Sequence, residues 1–142
     1  MHDESAQPHE LHQTLAQRRV AFMEGGRARI EYDAHMGMCH SGGVVQGGFI
    51  TGWIDAAMAH AVISQFGFDT VPMSLEIKVA FFAPARPGLV IAEGWIEKSG
   101  KTTCFAEGTL KDSEGQVLAK ATSTLRLMPR NKVQAAAERA PA

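Results

Sequence analysis

The spacing of apolar residues along this chain switches between helical and strand periods, and the switches lay out the elements. Residues 1–9 are polar and expected to be loose. Over residues 10–24, Leu11, Leu15, Val20 and Phe22 predict a modest amphipathic helix, stopped by Gly25-Gly26. Residues 27–33 alternate, with Ala28, Ile30 and Tyr32 opposite Arg27, Arg29 and Glu31, the pattern of a half-buried strand. A glycine-bearing loop follows over residues 35–45. Residues 47–65 are apolar on nearly every side, which predicts a buried helix. Gly52, Ala56 and Ala59 form a small-residue ridge expected to admit a sheet closely, and Trp53, Ala57 and Ala61 fill another side.

Four further strands are predicted. Residues 73–82 set Leu75, Ile77, Val79 and Phe81 against Ser74, Glu76 and Lys78. Residues 89–98, 102–111 and 116–128 complete the set, separated by Pro84-Ala85-Arg86-Pro87-Gly88, Ser99-Gly100 and Asp112-Ser113-Glu114-Gly115. Such short connections predict antiparallel neighbours. The expected class is α+β: a curved antiparallel sheet wrapped around one central helix. The segments read as residues 1–26 (an N-terminal stretch with a short helix), 27–128 (the single folded domain) and 129–142 (a flexible, alanine-rich tail).

Composition narrows the classes. A chain of 142 residues with 45% hydrophobic content supports one core. A net charge of -1 gives no reason to expect nucleic acid or an anionic membrane as partner. The first residues lack a basic and an apolar region, so no signal peptide is expected. The longest apolar stretch is interrupted by Asp55 and His60 and is too short to span a bilayer, which makes the cytoplasm the expected location. Cys39 and Cys104 make no disulfide framework, and no His/Cys/Asp spacing predicts a metal site.

The candidate chemistry centres on the start of the long helix. Asp55 is a single carboxylate two turns inside an apolar helix, and burying such a group is costly without a partner or a task. Gly47 and Gly48 put side-chain-free amides at the positive end of the helix dipole. A substrate carbonyl is expected to reach the Gly48 amide, an arrangement suited to acyl transfer. The same glycines also suit a tight turn before a helix. His60, on the Trp53 side, is expected to be a satisfied core or interface histidine.

His40-Ser41-Gly42-Gly43-Val44-Val45-Gln46-Gly47-Gly48, with Asp55 following, resembles the signature of the hotdog-fold acyl-CoA thioesterases, in particular the phenylacetyl-CoA thioesterase branch. That branch reads Asn-x-x-Gly-x-x-His-Gly-Gly with an acid seven residues after the last glycine. Ser74-Leu75-Glu76-Ile77-Lys78-Val79-Ala80-Phe81-Phe82-Ala83-Pro84-Ala85 resembles the family's long strand with its closing proline. Lys98-Ser99-Gly100-Lys101 resembles its third-strand turn, and Gly115-Gln116-Val117-Leu118-Ala119-Lys120-Ala121 its last strand. Two positions depart: His40 stands for the usual asparagine and Gln46 for the usual histidine.

The resemblance implies hydrolysis of an acyl- or aryl-acyl-CoA. Asp55, from a facing subunit, attacks the thioester carbonyl or activates water. Gln46 orients the carbonyl or the water, and Ser74 positions the water. His40, Gly47 and Pro84 border the substrate. Arg86 and the Ser99-Gly100-Lys101 turn are placed for the coenzyme A phosphates, with Arg126 and Arg130 also available. Coenzyme A enters only as part of the substrate, with no separate cofactor. A homodimer or a dimer of dimers is implied. Two other readings stand beside this one. A hydratase or dehydratase needs a catalytic histidine, which Gln46 replaces. A non-catalytic acyl-CoA or aromatic binder has no need of Asp55.

Overall fold

The structure, a computed structural model, describes residues 6–139. The elements are α1 (Ala6–Thr14), β1 (Gln17–Glu24), β2 (Arg27–Ala34), a 3-10 turn (Met36–Met38), β3 (Cys39–His40), β4 (Val44–Val45), α2 (Gly47–Phe66), β5 (Thr70–Phe81), β6 (Gly88–Ser99), β7 (Thr103–Asp112), β8 (Val117–Pro129) and α3 (Arg130–Arg139). Six long strands form one antiparallel sheet in the order β1-β2-β6-β7-β8-β5. The helix α2 lies on one face of it, against β6, β2, β7 and β5. This is the hotdog arrangement that the resemblance implies.

The inner side of α2 is Ile50, Trp53, Ile54, Ala57, Met58, Ala61 and Val62, all buried. They pack with Ile30, Tyr32, Val90, Leu110 and Leu125 from the sheet. Burying each large apolar side chain contributes about 1.5–3 kcal/mol. The close approach is made by the sheet rather than by the helix. A Cβ on Gly94 would lie 2.6 Å from the Ala57 carbonyl group and the Met58 nitrogen. One on Gly108 would lie 2.7 Å from Ile54 Cγ2. The expected ridge of Gly52, Ala56 and Ala59 instead lies on the half-exposed side of α2. Glycines of the pleated surface, not of the helix, remove the obstacle.

Three other sequence expectations change. The helix predicted over residues 10–24 ends at Thr14, and residues 17–24 form β1 along β2. Ala16 adopts φ 58°, a left-handed value that breaks the helix. The Asp33 N–H then bonds the Ala16 carbonyl at 2.9 Å, and the Trp53 indole N–H bonds Leu15 O at 2.8 Å. The residues after Ala16 gain a free strand edge to pair with, which outweighs their weak helical spacing.

Strand β5 also changes phase. A bulge at Leu75 places Ser74 opposite Leu125 and Glu76 opposite Thr124. Ile77 and Val79 pack on the core as expected, but Leu75 and Phe81 are 60% and 53% exposed. Finally, the stretch after Pro129 forms α3, which has no buried residue. Arg130 anchors its start, bonding Asp69 O through its N–H and Phe68 O through its Nε.

Candidate active site

The loop between β2 and α2 is tied down before the helix begins. The Gln46 N–H bonds Met38 O at 2.9 Å, and the Val45 N–H bonds Ala85 O at 2.9 Å. Gln46 is therefore fixed as the N-cap of α2, with extended backbone. Its side-chain Oε1 accepts from the Gly48 N–H at 2.8 Å, and its carbonyl accepts from the Phe49 N–H at 3.0 Å. The sequence points to the Gly48 amide as the carbonyl donor, but this amide is already bonded. The amide left open is that of Gly47, for which no partner stands among the described residues.

Gly47 borders an open cavity of about 410 Å³. His40, Val44, Val45 and Ile50 form one side of it, and Phe81, Phe82, Ala83, Pro84 and Ala85 the other. A Cβ on Gly47 would come within 3.1 Å of the Phe81 ring, so a larger residue there would crowd the wall. His40 and Pro84 thus share the lining of one cavity with Gly47. Arg86 does not join them. Its Nη1 bonds Gly42 O at 3.0 Å, and it lines a neighbouring cavity with Pro84 and Asp112.

Asp55 lies two turns further along α2, half-buried. Ser74 Oγ donates to its Oδ1 at 2.7 Å. The carboxylate is in no salt bridge among the described residues. The β5 bulge explains the contact. Regular alternation would turn Ser74 outward with Glu76 and Lys78, and the extra residue Leu75 puts Ser74 on the helix side with Ile77. On the far side of the helix core, Tyr32 stacks on Trp53 at 5.6 Å between centroids. Burial first, and the Asp55 charge second, hold the Tyr32 hydroxyl protonated well above the usual phenol range. This buried hydroxyl, without a protein partner among the described residues, is not singled out by strand alternation, which marks Tyr32 only as core.

The Ser99-Gly100-Lys101 turn is not brought to the cavity within one chain. It joins β6 to β7, closed by the Gly100 N–H on Thr103 O at 2.8 Å. The strand register places Thr103 level with Arg126, and Arg126 level with Met73, beside Ser74. The turn therefore belongs to the Asp55 end of the sheet rather than to the Gly47 end. His60 bonds Ala56 O through Nδ1 at 2.7 Å and faces His12, with ring centroids 6.1 Å apart. Among the described residues no group of three His, Cys, Asp or Glu side chains is placed to hold a metal ion.

Known proteins share this framework. Residues 42–119 match the family model of the thioesterase superfamily. A protein of Saccharolobus solfataricus, named as a presumed esterase, is 32% identical over 118 residues, 82% of this chain and 82% of its own length. A thioesterase family protein of Silicibacter pomeroyi superposes with a TM-score of 0.80 at 22% identity, covering 89% of this chain and 94% of that one. A presumed thioesterase of Ralstonia eutropha, related to phenylacetic acid degradation, gives 0.77 at 24%, over 82% and 89%. A hypothetical thioesterase of Streptococcus pneumoniae, solved with coenzyme A, gives 0.73 at 19%, over 78% and 85%. These structural likenesses establish the shared fold. The family match, over residues 42–119, takes in Gly47, Asp55 and the bulged strand that holds it, and with these features inside the matched region the chain belongs to the thioesterase superfamily.

Proposed function

We propose that this protein hydrolyses an acyl- or aryl-acyl-coenzyme A to the free acid and coenzyme A. The observation that carries the reading is Asp55, a half-buried carboxylate free of any salt bridge among the described residues and oriented by Ser74. Such a group, held in one orientation, serves as a base toward water or as a nucleophile toward a thioester carbon. The open Gly47 N–H at the positive end of α2 receives the carbonyl oxygen and stabilises its developing charge. The apolar cavity beside it takes acyl carbon. Water adds its oxygen to the acyl group, and the thiol leaves with a proton.

One chain does not hold both halves of this site. Gly47 and Asp55 are eight residues apart, about 12 Å along the axis at 1.5 Å per residue. A carbonyl bonded to one is out of reach of the other. A second copy solves this by bringing its own Asp55 to the Gly47 end. The free edge of β5 suits that pairing, since Met73, Leu75 and Phe81 are exposed along it. The opposite edge, β1, is bulged at two places and carries the Arg18–Asp33 and Arg19–Glu31 ion pairs, features that blunt an edge. We therefore read the active unit as a homodimer or a pair of homodimers.

The test is thiol release from short, medium, long and aromatic acyl-coenzyme A. Asp55→Asn protein, itself inactive, is then mixed with inactive Gly47→Val protein. Recovery of turnover on mixing supports a site shared between copies. Hydration of an enoyl-coenzyme A without thiol release overturns the hydrolase reading.

A further inference from the structure

We propose that Ser123, on β8, is a positioning residue that clamps the bulge of β5 and so holds Ser74 against Asp55. The kinetic part of its test rests on the hydrolase reading; the placement of Ser74 does not.

Ser123 breaks the pattern of its own strand. Along β8, Ala119, Ala121, Ser123 and Leu125 are buried and alternate with Lys120, Thr122, Thr124 and Arg126. Serine is the polar member of the buried row, level with Ile77 of β5 and Ala106 of β7. Alanine would fill nearly the same space with no hydroxyl to desolvate, and a buried hydroxyl without a partner is costly. This one has a partner: Ser123 Oγ donates to Glu76 O at 2.8 Å. Thr109, the other buried polar residue among the described residues, has none for its hydroxyl.

Glu76 follows the extra residue Leu75, so its carbonyl lies where β5 recovers its register with β8. The resulting phase runs against the hydrophobic pattern. Regular alternation back from Ile77 and Val79 would turn Leu75 toward the helix and Ser74 outward. The bulge instead leaves Leu75 60% exposed and brings Ser74 Oγ to 2.7 Å from Asp55 Oδ1. Within one chain, burial of Leu75 favours the regular phase, so the bulged phase needs an anchor. The edge strand β5 has β8 as its one neighbour in the sheet, so the sheet can supply that anchor only from β8. Ser123 supplies it from the buried face. Thr124 Oγ1 donates to Glu76 Oε1 at 3.3 Å in an exposed contact, and holds the side chain rather than the backbone. A bulge re-aims a side chain, and here the side chain re-aimed is the one that orients the acid.

Ser123→Ala removes the hydroxyl and little volume. Its kcat should fall about three- to tenfold, within the loss of Ser74→Ala, with KM unchanged because Ser123 does not line the Gly47 cavity. In a Ser74→Ala background the same change should cost nothing further, since its effect travels through Ser74. Ser123→Thr keeps a hydroxyl and should be more active than Ser123→Val, which has the same shape without one. Thr124→Val, which cuts only the exposed contact, should keep wild-type kcat. A merely structural serine gives other results: Ser123→Ala melts lower with kcat unchanged, or its loss adds in full to that of Ser74→Ala. Either result overturns the proposal. A crystal structure of the Ser123→Ala protein judges the clamp without turnover. Ser74 Oγ should lie beyond hydrogen-bond distance of Asp55 Oδ1, and a bond kept at 2.7 Å overturns the clamp. A wild type that releases thiol from no acyl-coenzyme A overturns the hydrolase reading, and the crystal structure still decides the clamp.

Discussion

Ser74 Oγ donates to Asp55 Oδ1 at 2.7 Å, joining the edge strand to the central helix next to the bulge at Leu75. The bond fixes one carboxylate oxygen and leaves the other for chemistry. Asp55→Asn should lower kcat by about 10²–10⁴-fold, the usual contribution of a positioned acid or base. Ser74→Ala removes the hydrogen bond that orients the Asp55 side chain on an exposed strand edge and should cost kcat at least about tenfold. Both variants should melt near the wild type. Steady-state thiol release and calorimetry together check this, and a fully active Asp55→Asn protein would refute the catalytic assignment.

The exposed side chains of β5 give a second expectation. Leu75→Lys places a charge on the 60%-exposed bulge residue of the unpaired edge. It should shift the protein toward monomer in light scattering, and activity should fall with the dimer fraction. A monomeric wild type with full turnover would show that one chain suffices.

Gly94 tests how the helix is seated. A methyl group there meets backbone atoms of Ala57 and Met58 at 2.6 Å, and backbone in the middle of a helix has no rotamer to yield. Gly94→Ala should cost about 1–3 kcal/mol or more, as overpacking does. The same change at Gly115, where a Cβ meets nothing within 4 Å, is a control for the positive φ of 87° alone. Denaturant unfolding of the two variants separates contact from conformation.

His60 sets part of the acid sensitivity. Burial lowers its pKa from 6.5, and the Ala56 carbonyl bonded at Nδ1 works weakly against that. The folded chain thus takes the proton at lower pH than the unfolded chain. Between the two values the unfolded state binds more protons, so stability falls as pH falls. The contribution is complete above about 6.5 and is lost as pH drops through the folded value. His60→Gln should flatten the fall of melting temperature below pH 6.5. An unchanged slope would assign the sensitivity elsewhere.

Much of this was legible in the residues. Period-two alternation marked β2, and the turn segments after residues 84, 99 and 112 marked off β6, β7 and β8. An unbroken apolar run marked α2, and the same run made Asp55 conspicuous. The missed features share a physical cause: none of them is written in the hydrophobic pattern. Strand β1 exists because β2 offers an edge, and Ala16 reaches its left-handed turn without the glycine that would announce it. The Leu75 bulge has no glycine or proline to mark it, so the phase of Ser74 was hidden. The helix α3 buries nothing, and an element with no buried face writes no hydrophobic pattern. At the helix start, the glycine pair was visible but the choice between its amides was not. A glutamine is an uncommon cap, and only the fold reveals that Gln46 takes the Gly48 hydrogen and leaves that of Gly47.

The bare backbone of Gly94 and Gly108 under α2 also governs what can vary above it. At Gly94 strand meets helix backbone with no side chain between, and at Gly108 it meets the Ile54 and Met58 side chains directly, so the rod can neither sink nor be raised by trading one residue for a larger one. Capacity for longer or bulkier acyl groups is then set around the rim, by Phe81, Phe82, Pro84 and the residues of the loop that faces them. Remodelling that rim changes what enters while the seat of the acid stays where it is.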